Sequence, residues 1–389
     1  MRIGYNLILI IIGYFIVNGI YVPAMPDVAD FFGADGSTVR ASMTLFQLGA
    51  LLACIAAGFI ADSIGKKNFL VSGLATAVLG SLMCLSAGNL ELLFVGRFLQ
   101  GAGSAIGFMM GFALIIDIYE PQNRLKLFAL NGVMLSLASI STPYIGGNLV
   151  KMFNWRASFV FILPVFAFAL FNVIKDVPAK ANIRKPTFSP MQDLLDYIRV
   201  FTNRTYFCYV VINAIFIGCI TYCISFLPFF LGKTFHLTED YIGIFIGITI
   251  WMPYGIGSYY SVKIYNKFGV DNVLGFGHIV CAITAVSMIF MAYAFETQLL
   301  MIAGIMTMFF LGFGIMYTGS ISQSMGVFLD LTTKASSLRT ILISFFAFFG
   351  GLGAQYSSDN NLMYLAIAMI VTATLSSLFF VFRGVKSNS

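Results

Sequence analysis

Apolar residues in this chain run in long unbroken blocks, and polar residues are confined to the connections between them. Twelve blocks stand out, at 6–23, 41–61, 69–88, 92–116, 127–150, 157–174, 206–231, 240–262, 272–294, 298–322, 336–355 and 360–382. A helix of roughly 20 mostly apolar residues crosses the hydrocarbon core of a bilayer. The pattern therefore predicts an all-α membrane protein of twelve transmembrane helices. Gly and Pro recur inside the blocks, as bilayer helices tolerate. The first block has no small-residue cleavage pattern and eleven more follow it, so it is expected to be a span and not a signal peptide.

The longest polar connection, about 175–205, divides the chain into an N-terminal six-helix bundle (1–174), a cytoplasmic linker (175–205) and a C-terminal six-helix bundle (206–389). In the linker, Ser189-Pro190 reads as an N-cap with proline at the first helical position. Leu194, Leu195, Ile198 and Phe201 follow at helical spacing, which fits either a short surface helix or a plain linker. The halves echo each other weakly: 64–73 aligns with 268–277 at an offset of 204, and Pro23 and Pro228 fall near the ends of segments 1 and 7. Internal repeats of this kind mark transporters whose substrate site lies near the midplane at the repeat interface.

Composition fits the pattern, with 59% hydrophobic and 10% charged residues. Charge adds orientation. With both termini inside, 17 of the 22 Lys and Arg fall in cytoplasmic loops and ends; Arg40, Lys151, Arg156 and Lys233 fall outside, and Arg97 lies within a span. This bias predicts cytoplasmic termini. The net charge of +6 thus reports topology and lipid contact and does not point to nucleic acid. Cys54, Cys84, Cys208, Cys219, Cys223 and Cys281 all lie in apolar blocks and read as small packed hydrophobes, with no metal or disulfide spacing.

The sharpest motif is GlyPheIleAlaAspSerIleGlyLysLys (58–67) between segments 2 and 3. Gly58 permits close helix approach, Gly65 a tight turn, and Lys66 and Lys67 anchor the loop on the basic side. Asp62 can pair with a basic group or a helix N-terminus. The loop resembles the G-x-x-x-D-x-x-G-[KR]-[KR] signature of the major facilitator superfamily. ArgPheLeuGlnGlyAlaGly (97–103) resembles the family's helix-4 motif. ProTyrIleGlyGly (143–147) resembles the end of its helix-5 antiporter motif, with Thr142 where a glycine usually stands. AsnTrpArgAlaSerPhe (154–159) matches the run before helix 6. TyrValProAlaMetPro (21–26), AspIleTyr (117–119) and LysAlaSerSerLeu (334–338) resemble the Bcr/CflA drug-resistance type. The resemblance implies two pseudo-symmetric bundles and no cofactor, with the proton gradient as energy source and the bacterial inner membrane as location. It implies gating roles for Gly58, Asp62, Gly65, Lys66, Lys67, Pro143, Gly146 and Gly147. The second-half loop departs from it: Asn266 stands where Asp62 would be, though Lys263 and Lys267 remain. A second departure is Gly19, where the Bcr/CflA type usually carries an acid.

Arg97 is the residue that most needs explaining, because a charge at bilayer depth costs about 2.5–3.5 kcal/mol on insertion scales. Three partners are open: carbonyls freed near Pro23 and Pro26, Asp27 folding back, or an anionic substrate bound by the guanidinium fork. By the family's arrangement, Asn18, Tyr21, Gln100, Tyr222, Phe226 and Tyr317 fall on cavity-lining helices, with Gln47 and Trp251 on neighbouring ones. Such a mixture suits an amphipathic ligand. Asp27, Asp117 and His278 are the candidates for proton coupling. Asp117 also reads as a latch partner for Arg124 or the 58–67 loop, and His278 as a scaffold residue.

The leading expectation is a monomeric secondary transporter that exports drug-like compounds or metabolites against protons by alternating access. The alternative keeps the fold and moves an anionic metabolite or a carboxylate siderophore. No nucleotide-binding motif and no catalytic base–nucleophile pair is present, so neither direct ATP drive nor an intramembrane enzyme is expected.

Overall fold

The computed structural model describes residues 2–177, 190–294, 298–325, 327–328 and 331–383; for some helical residues within these ranges only the backbone is described. Among the described residues there are helices and turns and no strands. In chain order the helices are α1 (Arg2–Tyr21), α2 (Met25–Phe32), α3 (Gly36–Ile64), α4 (Lys66–Leu85), α5 (Leu90–Ile118), α6 (Pro121–Met152), α7 (Ala157–Asp176), α8 (Pro190–Thr202), α9 (Arg204–Phe235), α10 (Glu239–Ile246), α11 (Met252–Phe268), α12 (Val270–Ala294), α13 (Leu299–Met325), α14 (Thr332–Gln355) and α15 (Met363–Phe382). Eleven described helical stretches are long and apolar enough to cross a bilayer, and α6 occupies the place of the fifth predicted segment.

Two predicted spans are locally broken, each at proline. Pro23 and Pro26 lack the N–H that a continuing helix needs, and a 3-10 turn at Val22–Ala24 separates α1 from α2. Pro253 sits just beyond a π-helical turn, Gly247–Trp251, which joins α10 to α11. Pro253 has no N–H for the carbonyl four residues back, and a π turn absorbs that loss.

The chain forms two compact units, one of Met1–Thr187 with Leu227–Ile244 and the other of Phe188–Phe226 with Phe245–Ser389. The first therefore takes in the end of α9 and most of α10 in addition to the six predicted N-terminal spans. Within it α5 packs on α1, α3 and α4, and α1 packs on α6 and α7. The α3–α5 seam is closed by glycine: a Cβ on Gly49 would strike the Phe98 carbonyl, and one on Gly101 the Phe46 carbonyl. In the second unit α13 packs on α11 and α12, α12 on α15, and α8 on α14.

The internal repeat is visible in the backbone. Gly65 (φ 87°) and Gly269 (φ 78°) both take the left-handed turn, 204 positions apart, as the sequence offset requires. Each turn pins the end of a later span within its own unit. Lys67 Nζ donates to the carbonyls of Ile174 and Val177 at the C-terminus of α7. At the equivalent position Asp271 accepts from Arg383 (2.8 Å), just past α15.

Candidate functional site

Arg97 lies on α5 and is wholly buried. Its guanidinium is held between two rings, with Cζ 4.4 Å from the Tyr21 centroid and 4.5 Å from the Phe46 centroid. One terminal nitrogen donates to Gln100 Oε1 and the other to Met43 Sδ (3.3 Å), while Nε has no hydrogen-bond partner. Gln100 Nε2 donates in turn to Ser81 Oγ (2.8 Å), whose hydroxyl donates to the Ala77 carbonyl. The charge is thus met by neutral dipoles and π faces. Neither Asp27 nor the carbonyls near Pro23 and Pro26 serve it.

Asp27 is occupied elsewhere. Its carboxylate accepts from the Trp155 backbone N–H (2.8 Å), ahead of α7, where exposed amides favour negative charge. Tyr21 Oη shares a hydrogen bond with Ser42 Oγ (2.9 Å), and Tyr14 donates to Gln47 Oε1 (3.1 Å). Asn18 lies on α1 between Tyr14 and Tyr21 at helical spacing. Its Oδ1 is buried with no hydrogen-bond partner. Asn18, Tyr21, Gln47, Arg97 and Gln100 therefore belong to one polar layer where α1, α3 and α5 meet. The sequence reading missed Tyr14, Ser42, Met43, Phe46 and Ser81, because neutral residues of common type carry no individual signal. It also placed Arg40 in an outer loop; the structure buries it in α3, with its guanidinium 5.1 Å from the Phe229 ring centroid.

Gly19 does not look toward Arg97. A Cβ there would overlap Thr142 Oγ1, and one on Gly146 would strike the Ile20 carbonyl. The missing helix-1 acid and the Thr142 replacement are therefore one packing fact: the threonine occupies the space that a side chain at 19 would need.

Of the 58–67 loop, Lys66 and Lys67 have described contacts. Lys66 pairs with Asp117 (2.6 Å), so Asp117 is the partner of the 64–67 turn. The side chains of Gly58, Asp62, Arg124 and Asn266, and Ser189 with most of the linker, lie outside the described residues. On the opposite end of the first unit, Pro143, Gly146 and Gly147 face close neighbours. A Cβ on Gly147 would strike the Glu239 carbonyl, and one on Gly243 the Pro143 carbonyl. Lys151 pairs with Asp240 (2.8 Å) beside this contact.

In the second unit Tyr222 shares a hydrogen bond with Ser357 (2.9 Å) and stacks on Phe226. Trp251, closing the π turn, meets Tyr254 edge-on, and Tyr254 stacks on Phe313 and meets Tyr317. Arg339 donates to Tyr317 Oη (3.1 Å). Tyr254 and Arg339 were not foreseen. His278 is buried in the α12–α15 seam. Its Nδ1 bonds the Leu274 carbonyl (2.8 Å) and its ring stacks on Phe380. Asn213, also unforeseen, is buried with neither amide atom bonded.

Among the described residues no group of three His, Cys, Asp or Glu is placed to hold a metal. The arrangement offers aromatic faces, amides and hydroxyls.

Known proteins with similar sequences include drug-resistance proteins. The chain is 28% identical over 201 residues to the chloramphenicol resistance protein CraA of Acinetobacter baumannii, covering 51% of this chain and 48% of the relative. It is 27% identical over 192 residues to multidrug resistance protein D of Escherichia coli, covering 49% and 48%. The chain spans about half the length of the curated relatives it matches. Among solved structures, the D-xylose–proton symporter superposes with a TM-score of 0.74 at 12% identity, covering 97% of both chains. A bacterial homologue of the human lysosomal transporter Spinster gives 0.70 at 16%, covering 98% of this chain and 95% of that one. These two show the fold. The family profile of the Major Facilitator Superfamily matches residues 7–358, so the chain belongs to that superfamily.

Proposed function

We propose that this protein is a proton-coupled exporter of drug-like compounds or small amphipathic metabolites, working by alternating access in the bacterial inner membrane, with both termini cytoplasmic. The observation that carries the reading is the state of Arg97. It lies close to the Tyr21 and Phe46 rings and is wholly buried, which fits a scaffold role in the polar layer, with aromatic and amide groups as the candidates for substrate contact. The resistance functions named for its relatives support the same direction. Substrate contact is assigned to Asn18, Gln47, Tyr222, Phe226, Trp251 and Tyr317, with Tyr21, Arg97 and Gln100 holding the layer behind them. Gly58, Asp62, Gly65, Lys66, Lys67, Pro143, Gly146 and Gly147 are assigned to gating. Asp117 pairs with a lysine and His278 bonds a backbone carbonyl, whereas Asp27 meets a backbone N–H and, among the described residues, no cation, and the proton is assigned to Asp27.

The test is transport in proteoliposomes with an imposed pH gradient, for wild type, Asp27→Asn and Arg97→Ala. Gradient-driven accumulation of a lipophilic drug by wild type, uncoupled in Asp27→Asn, is expected. Accumulation that ignores the gradient in wild type sinks proton coupling.

One observation favours a second reading. Arg97 has no carboxylate partner among the described residues, and its Nε is buried without a hydrogen bond. A carboxylate cargo, such as an anionic metabolite or a carboxylate siderophore, would supply that partner. Counterflow of labelled citrate-type ligands, abolished in Arg97→Ala while lipophilic cations are ignored, would replace the first reading by this one.

A further inference from the structure

Helix α8 exposes an apolar edge that the first and last spans of its unit do not cover. Leu195, Ile198 and Phe201 recur at every third position and are 49%, 48% and 48% exposed. The opposite face is fixed. Val200 is buried in a cluster with Tyr206, Val210, Phe328 and Ala335, and Asp196 pairs with Lys334. The helix is therefore docked on its own unit by one side and presents the other outward.

What lies on that outward side follows from its surroundings. Only Asn203 separates α8 from α9, and its side chain caps α9 by accepting from the Tyr206 N–H (2.9 Å). The corner thus stands where a membrane span begins. Phe201 packs edge-on against Phe207, and Phe207 meets Phe379 of α15. From there the exposed apolar surface continues along α15 through Leu375 and Leu378, a face of the kind that acyl chains cover along a span. The α8 edge and the lipid-facing side of α15 form one continuous surface. The flanks are basic: Arg199 and Arg204 are exposed, Arg204 reaches the Phe382 carbonyl at the end of α15, and Lys175, Lys180, Arg184 and Lys185 precede the helix in sequence.

We propose that α8 is an interfacial anchor, its Leu195–Ile198–Phe201 edge inserted among acyl chains and its arginines bound to the anionic phospholipid headgroups of the leaflet it faces. An amphipathic helix with basic flanks binds in this way through buried apolar area and attraction to anionic lipid. The proposal rests on the chain being a membrane protein and not on what it transports. Its readout is spectroscopic, so failure of the export reading leaves it standing.

The test places a nitroxide at Ile198→Cys or Leu195→Cys in the full chain, whose native cysteines are buried. The protein is reconstituted in phosphatidylcholine alone or with about a third phosphatidylglycerol. Greater accessibility to oxygen than to a water-soluble nickel chelate is expected at both sites. The difference should grow with phosphatidylglycerol, and Arg199→Gln with Arg204→Gln should remove that growth without changing elution of the folded protein. Nickel-dominated accessibility in both lipids overturns the proposal. So does shielding from both reagents, which would mean a protein partner, and so does insertion that ignores phosphatidylglycerol.

Discussion

Replacing Phe46 by leucine tests whether aromatic faces neutralise Arg97. Leucine keeps the site apolar and removes a ring that lies 4.5 Å from the guanidinium. Lost packing from this change is worth about 1 kcal/mol. A desolvated cation–π contact contributes about 2 kcal/mol, so Phe46→Leu alone should destabilise the protein by about 3 kcal/mol. Arg97→Met removes the cation. Loss of two ring contacts and a charge-assisted hydrogen bond is offset by relief of a burial cost of about 3 kcal/mol, leaving a net loss of about 2–4 kcal/mol. In that background the ring has no cation to face, and Phe46→Leu should cost only its packing share. The cycle therefore predicts a coupling of about 2 kcal/mol between the two positions. Tyr14 also touches the Phe46 ring, but that loss occurs in both backgrounds and cancels. Titration with SDS in mixed micelles, followed by near-ultraviolet circular dichroism, gives the four stabilities. Coupling below about 0.5 kcal/mol refutes the cation–π account and returns Arg97 to the search for a carboxylate.

Other expectations concern packing, the turn and the ligand groups. Gly19→Asp should fail to yield folded protein on size-exclusion chromatography, and Thr142→Gly in the same chain should restore it, because Thr142 Oγ1 occupies the space of the new Cβ. Asp117→Asn breaks a partly exposed ion pair and should shift stability by under about 1 kcal/mol. Its larger effect should be on transport rate, with Lys66→Asp and Asp117→Lys together recovering activity that either alone loses. Tyr222→Phe removes the bond to Ser357 and should leave expression intact while changing the rank order of substrates in drug-protection assays. Gly101→Leu drives a side chain into the Phe46 carbonyl across the α3–α5 seam and should abolish folded protein, which in-gel fluorescence of a fused reporter would show.

The spans were legible because apolar block length is dictated by the bilayer, and the repeat because a left-handed turn demands glycine at 65 and again at 269. Arg97 was legible because a lone charge in an apolar run is costly. What holds it was not, since Gln100, Met43, Tyr21 and Phe46 are neutral residues whose role appears only when α1, α3 and α5 are brought together. Trp251 was picked out as a large aromatic, but the π turn it closes follows from Pro253 two residues on, a signal present in the sequence and not used. Arg40 was misplaced because the connection before α3 was drawn too long: α3 begins at Gly36, five residues ahead of the predicted span, and carries Arg40 into the protein.

Gly19 shows how an absence misleads. Read alone, glycine in place of an acid suggests that Arg97 has lost a counter-ion. Position 19 points at α6, however, and the α1 face turned to Arg97 carries Tyr14, Asn18 and Tyr21. An acid at 19 would have met Thr142 before it met the guanidinium. In this chain position 19 is therefore not where a counter-ion for the buried cation would sit. The two rings already meet the cation at 4.4 and 4.5 Å, and both terminal nitrogens are hydrogen-bonded, so an anion would be met at Nε. A carboxylate cargo would have to reach a wholly buried nitrogen, whereas an uncharged amphipathic ligand needs no contact with the guanidinium.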